Sequence, residues 1–263
     1  MSASSAPAPA PAALAMPRSA LTRLVITEGK LFARERVGLI WGVGFPLVLL
    51  VIFGSIPAFK DRHADLGGLS TMDVYVPILM AFVLAMIALN ALPPTLAGYR
   101  EKGILRRLST TPVGASRVLA AQLAVNLATA AIAMVAILAV ARLAYQVPLP
   151  QQGVGFLAAV LLTAVALFGL GTFVSAVCPS GRAANAAGAI LFLPMMFFAG
   201  LWVPIPEMPS FLRHISSYTP LGAGVQSLQE ATSGVWPHPL LVVVLVAWAV
   251  IFGSAAAKLF RWE

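Results

Sequence analysis

The sequence predicts an all-α integral membrane protein with six transmembrane helices. Three observations carry that reading. Of 263 residues, 60% are hydrophobic and 10% charged, far below the roughly 25% charge of soluble domains. Six apolar windows reach the roughly 20 residues needed to cross about 30 Å of hydrocarbon. The basic residues, finally, sort to one side of those windows.

The predicted spans run from Val37 to Phe59, Asp73 to Ala97, Val113 to Ala141, Gly153 to Val177, Ala183 to Val203 and Pro239 to Phe260. Lipid offers the backbone no hydrogen-bond partner, so each is read as a helix. The second is the weakest, because Pro77 and the Pro93-Pro94 pair shorten the run available to it. Ahead of the spans, residues 1–18 form an Ala/Pro/Ser tail without an apolar signal-peptide core, read as a disordered cytosolic extension. From about Ser19 to Arg36, Leu21, Leu24, Val25, Leu31 and Phe32 share one helical face opposite Arg23, Lys30 and Arg34. This predicts an amphipathic helix over 19–36 lying in the membrane interface, with Glu28 on the apolar face pointing to a protein neighbour.

Six spans place the N-terminal tail, the second and fourth loops and the C-terminus together. That side holds Arg18, Arg23, Lys30, Arg34, Arg36, Arg100, Lys102, Arg106, Arg107, Arg117, Arg182, Lys258 and Arg261; the other holds Lys60, Arg62, Arg142 and Arg213. Thirteen and four account for all seventeen basic residues, so the first side, with both termini, is predicted to be cytoplasmic in the cell membrane. The net charge of +8 is then a topology signal with some attraction to anionic lipid, and gives little support to nucleic-acid binding.

Within the apolar body one dense run of charge remains, "GYREKGILRRLSTTP" from Gly98 to Pro112. Five charges at mid-membrane would cost about 15 kcal/mol on insertion scales, so the run must lie outside the hydrocarbon. At 100° per residue Arg100, Lys102, Arg106 and Arg107 share one arc, and Glu101, Ile104, Leu105 and Leu108 the opposite one. A short amphipathic helix over 99–110 follows, with Ser109, Thr110 or Thr111 capping the next helix and Pro112 in its first turn. A plain basic loop accounts for the charge equally well, but not for an ordered apolar face carrying an acid.

The chain holds no engine of its own. Its four lysines, Lys30, Lys60, Lys102 and Lys258, complete no G-x-x-x-x-G-K-[ST] loop. Ionisable residues stand at span ends, which disfavours proton- or sodium-coupled transport. His63, His214 and His238 lack ligand spacing, the single Cys178 excludes an internal disulfide, and neither H-E-x-x-H nor G-x-S-x-G occurs. The polar residues of the spans are uncharged: Asn90, Gln122, Asn126, Thr129, Thr163, Thr172, Ser175 and Asn185. No internal repeat marks a secondary transporter. A passive membrane body with a charged handle is the profile of a permease driven from outside.

"GYREKGILRRLSTTPV" resembles the segment after the second span of type 2 permeases of ATP-binding cassette exporters, where an acidic-basic-Gly step precedes a Pro. "FFAGLWVPIPEMPSFLRHISSYTPLGAGVQSLQ" resembles that family's fifth span, Pro-rich exit and short external helices before the last span, here over 204–237. The short loop from Lys60 to Met72 is similar to that of compact bacterial members. The likeness covers nearly all of the chain beyond the tail, as one permease domain over 19–263. It implies a coupling helix, with Arg100, Glu101, Lys102, Gly103, Arg106 and Arg107 docking on a separate ATPase subunit. The 19–36 helix would be the connecting helix beside it. ATP and magnesium would be used by that partner, and this chain would carry no cofactor and no catalytic or metal site. Two permease chains, identical or not, would form the pathway at their interface.

In that setting Pro194, within "ILFLPMMFFAG", loosens the fifth span, and Met195, Met196, Phe197 and Phe198 become an adaptable apolar wall. Asn90, Phe197 and Phe198 are the candidate cargo contacts where second and fifth spans of two chains meet. With no charge along the spans, a hydrophobic or amphiphilic cargo, drug-like or lipid-like, is expected. Export of a lipid-linked polysaccharide and a nucleotide-independent transporter or assembly factor are the alternatives.

The basic split fixes a testable topology. With Cys178 replaced, cysteines introduced at Ser4 and Ser233 should respond oppositely to an impermeant thiol reagent in intact cells, the second reacting and the first not. Labelling of both from outside would refute the orientation.

Overall fold

A computed structural model describes residues 40–61, 68, 70–109 and 115–259. The predicted tail over 1–18 and interfacial helix over 19–36, the residues Thr110 to Pro112, and the two ends of the charge count lie outside them. Among the described residues the secondary structure is helical throughout, without a β-strand.

Five helices are long and apolar enough to cross a membrane: α2 (Thr71–Glu101), α4 (Ala115–Tyr145), α5 (Gly153–Val177), α6 (Gly181–Phe198) and α9 (Pro239–Leu259). Before them, α1 (Phe45–Ser55) continues a π turn over Ile40–Gly44 and is a shorter apolar helix. The short helix α3 (Ile104–Ser109) follows α2, while α7 (Ser210–Tyr218) and α8 (Pro220–Thr232) lie between α6 and α9.

α2 is the axis of the bundle. Nearly all of its apolar run, 94%, is buried by the chain's own helices, against 22% for α6 and for α9. It packs against α1, α4, α5, α6 and α8. The sequence reading ranked this span weakest for its prolines, yet it is among the longest. Its start is fixed by a capping box, in which Asp73 N–H donates to Ser70 Oγ (3.2 Å) and Ser70 N–H to the Asp73 carboxylate (2.9 Å). Asp73 is thereby spent on capping.

The Pro93-Pro94 pair is absorbed by a π turn over Ile87–Ala91. There the Leu92 N–H reaches back five residues to the Ile87 carbonyl, bypassing Ala88. Neither proline brings an N–H for Leu89 or Asn90. Thr95 Oγ1 donates to the Ala91 carbonyl (2.9 Å). The carbonyls of Ala88 and Leu89 are instead met by glycines: a Cβ on Gly171 of α5 would collide with Ala88 O, and one on Gly188 of α6 with Leu89 O. Glycine lets three backbones come together here, with Cα hydrogens facing carbonyl oxygens.

The segment over 204–237, expected to hold short external helices, is helical and also contributes to the core. Leu221, Val225 and Leu228 of α8 are fully buried, and α8 packs on α5 and α2. The fifth span is shorter than predicted. α6 ends at Phe198, and Gly200 turns the chain with φ +89°.

Because the contact at Gly188 is backbone against backbone, no neighbouring side chain can swing aside. Gly188→Ala should destabilise by about 1–3 kcal/mol, the usual cost of overpacking, seen as a lower melting temperature in detergent. Gly153→Ala, where a Cβ meets nothing within 4 Å, should melt as the parent does.

Candidate functional site: the charged turn below the axis helix

The charged segment is two elements, not the single helix over 99–110 that its arcs predict. α2 ends at Glu101, Lys102 caps it, and Gly103 turns the chain with φ +65° before α3 begins. Such a φ suits glycine. Lys102 N–H donates to Gly98 O (3.0 Å), Gly103 N–H to Arg100 O (2.9 Å), and Arg107 N–H to Gly103 O (3.1 Å). The break separates Arg100 and Glu101, fixed to the end of α2, from Arg106 and Arg107 on α3.

Arg100 and Glu101 reach across to the turn between α5 and α6. The Arg100 guanidinium donates Nη1–H to Ala176 O (2.9 Å) and Nη2–H to Cys178 O. It thus serves the C-terminal carbonyls of α5, where a cation also meets the negative end of the helix dipole. Glu101 Oε2 accepts from the Gly181 N–H (3.0 Å), at the positive start of α6, a favourable place for a carboxylate. Ser180 caps the same start, accepting from Ala183 N–H (3.2 Å). A Cβ on Gly181 would stand 2.9 Å from Pro94 O, so α6 begins directly against α2. One dipeptide therefore clamps the end of one helix and the start of the next to the axis helix. Lys102, Arg106 and Arg107 lie exposed beyond the clamp. Gly103 is half-buried and carries the turn.

Above this clamp a polar group ties α2 to α4. Gln122 Nε2–H donates to the Tyr99 hydroxyl (3.3 Å), and the buried Asn126 gives its Nδ2 hydrogens to Gln122 O (2.8 Å) and Gln122 Oε1 (3.3 Å). Thr129, Thr172 and Ser175 return their hydroxyls to carbonyls of their own helices, which makes them structural.

The three candidate cargo residues do not meet. Asn90 lies half-buried in the π turn, its Nδ2 directed at Met86 Sδ (3.5 Å). Phe197 and Phe198 are half-buried at the opposite end of α6, in edge-to-face contact at 5.4 Å. Gly188, against the Leu89 carbonyl, precedes Phe197 by nine residues, about 13 Å of helical rise. Met195 and Met196 are 7% and 0% exposed, so the apolar wall expected of four side chains reduces to the two rings. Pro194 is exposed within a continuous α6. Sequence reasoning missed the clamp because its three partners are backbone atoms, of Ala176, Cys178 and Gly181. It missed Gly171 and Gly188 because nothing in a lone glycine announces a facing carbonyl. Among the described residues no cluster of His, Cys, Asp and Glu could hold a metal.

These elements define a multi-pass membrane protein whose strongest polar feature is a clamped, basic turn at one end of the bundle. The ABC-2 type transporter family matches residues 20–232, and the chain belongs to that family. It is also similar to the probable multidrug ABC transporter permease YbhR of Escherichia coli K12, and equally to that of Escherichia coli O157:H7. Each is 24% identical over 196 residues, 71% of this chain and 51% of the relative. The chain thus spans about half the length of the curated relatives it matches.

Arg100 is half-buried and makes two charge-assisted bonds, so Arg100→Gln should cost about 1.5–3 kcal/mol and speed proteolysis at the α5–α6 turn. Glu101 is exposed, and Glu101→Gln should cost less than about 1 kcal/mol. Thermal unfolding of both variants beside Lys102→Gln measures the difference; equal melting of all three would remove the clamp from the account.

Proposed function

We propose that the chain is the membrane-spanning permease subunit of an ATP-driven ABC exporter. The observation that carries this is the clamped charged turn: Lys102, Arg106 and Arg107 are presented outward while Arg100 and Glu101 fasten their base to α5 and α6. In this reading α1, extended by the residues before it, is the first of six spans, and both termini and the charged turn are cytoplasmic. The turn and α3 are the coupling element for a separate ATPase subunit, which binds ATP and magnesium. α7 and α8 lie on the external side, and a second permease chain completes the pathway.

The cargo is a hydrophobic or amphiphilic compound. The uncharged spans support this, and so does the printed description of the Escherichia coli relatives as probable multidrug permeases. Asn90 on the side of the clamp and the Phe197–Phe198 pair at the other end are its proposed contacts, one near entrance and two near exit.

Co-expression with an ATPase subunit encoded beside this chain tests the assignment. The two should co-purify, and the complex should export an apolar dye with ATP hydrolysis. Glu101→Lys sets a cation at the start of α6, beside Arg182, and should leave an inserted protein that hydrolyses ATP without export. Phe197→Ala and Phe198→Ala should alter which dyes are exported and leave assembly unchanged. Failure to co-purify with any ATPase, together with export independent of ATP, would refute the proposal.

A further inference from the structure

Phe198 closes α6, and its carbonyl is met from another helix. In the last turn of α6 the carbonyls of Met195, Phe197 and Met196 accept the N–H groups of Ala199, Gly200 and Leu201. Phe198 O instead accepts from Ser216 Oγ of α7 (2.6 Å). Ser216 is completely buried and is itself held by α8. Its Oγ accepts from Gln226 Nε2 (3.2 Å), and its carbonyl accepts from Oγ1 of Thr219 (2.9 Å), the residue that caps α8. Ser217 Oγ engages the same amide, 3.1 Å from Gln226 Oε1. Gly222 makes room for this packing, because a Cβ there would collide with Ser216 O and Oγ.

Depth gives the Ser216 bond its weight. At the end of the bundle opposite the clamp, Gln152 N–H donates to Ala231 O (3.0 Å), and Pro237 lies against Gly155. The start of α5, the end of α8 and the start of α9 therefore stand level. From Thr232 back to Pro220, α8 runs twelve residues, about 18 Å of rise. Independently, Trp248, nine residues into α9, donates its Nε1–H to Tyr218 O (2.9 Å), about 13 Å from that end. α7 and α8 thus meet about half-way into a roughly 30 Å hydrocarbon core, where water does not replace a lost donor. Pro194 adds to the demand. It brings no N–H for the Ile190 carbonyl, so the final turn of α6 is joined to the rest of its helix by one bond fewer.

We propose that Ser216 is a positioning residue for the Phe197–Phe198 pair, an inference that rests on the reading of those rings as cargo contacts. Through Phe198 O it fixes the pitch and rotation of the last turn of α6, and with them the direction of both rings. Gln226 holds the Ser216 hydroxyl in line from α8. Cargo selectivity is thereby set in part by a side chain that the cargo never touches. Ser227 supplies the comparison: it is equally buried, but its hydroxyl donates to Ala223 O of its own helix (2.8 Å).

The first test needs no partner. In the purified full chain, para-fluorophenylalanine in place of Phe198 reports the surroundings of the ring by fluorine NMR. Ser216→Ala should shift or split its resonance, and Ser227→Ala should leave it unchanged. Ser216→Cys, near in size and a weak donor, serves where the alanine variant fails to fold. In the complex with the ATPase subunit, Ser216→Ala should change the ratio of export rates for two apolar dyes in the direction that Phe198→Ala does. The expected change is about fivefold, the factor that one net hydrogen bond is worth, and Ser227→Ala should keep the parental ratio. An unmoved resonance overturns the proposal, as does a dye ratio altered by Phe198→Ala and not by Ser216→Ala. Equal shifts from Ser216→Ala and Ser227→Ala overturn it too, since any lost buried hydroxyl would then act alike. A moved resonance with dye ratios that Phe197→Ala and Phe198→Ala themselves leave unchanged upholds the positioning and refutes the cargo contacts instead.

Discussion

In hydrocarbon a backbone carbonyl without a donor costs several kcal/mol, and α2 carries a run of carbonyls that its own helix cannot serve. Ala88 is bypassed by the π turn, and Leu89 and Asn90 precede prolines. The rest of the bundle is organised around this constraint. α2 is surrounded on nearly every side, and α5 and α6 meet its irregular turn at Gly171 and Gly188. Burial of the axis and the close approach of α5 and α6 follow from covering that stretch, and the clamp lies nearly three turns (about 15 Å) below it.

The charged turn obeys the complementary rule. Its cations cannot enter the hydrocarbon, so they mark where the bundle meets water, yet Arg100 and Glu101 are used by the fold itself. α2, α5 and α6 end or begin at one place and are joined there by one dipeptide. In the exporter proposed above, a displacement of α3 by a partner would be delivered to α5 and α6 through polar bonds at the membrane surface, while the glycine contacts nearer the centre act as the pivot. The break at Lys102-Gly103 serves that arrangement, because it lets α3 leave the axis direction while Arg100 and Glu101 stay in register with α2.

Much of the architecture was legible in the sequence. The bounds of α5 were read to the residue, and those of α9 nearly so, because long uninterrupted apolar runs between Gly, Pro and Ser permit one outcome in a membrane. The second span was misjudged for a physical reason: proline lowers helix propensity locally, but tertiary contacts with two glycines supply what it removes. The charged helix was drawn as one piece because periodicity cannot register a single left-handed glycine. α8 was read as a short external helix, and its burial was not, because its Gln and Ser residues mask a face built from Leu221, Val225 and Leu228. At the site, charge density located Arg100 to Arg107, whereas the acceptors of Arg100 are carbonyls and have no signature. Met195 to Phe198 were read as one apolar wall, and the burial of Met195 and Met196, which periodicity near a proline does not reveal, leaves the two rings.

The grip of Arg100 has a consequence for variation. A salt bridge needs a particular partner side chain, so a change at either member breaks it. Here the guanidinium holds the carbonyl oxygens of Ala176 and Cys178, and every residue type offers the same carbonyl. The joint is therefore blind to side-chain identity at those two positions. Cys178 can be exchanged for labelling chemistry, and the α5–α6 turn can drift in sequence, while the arginine that holds it cannot. Tolerance and intolerance sit across one hydrogen bond from each other.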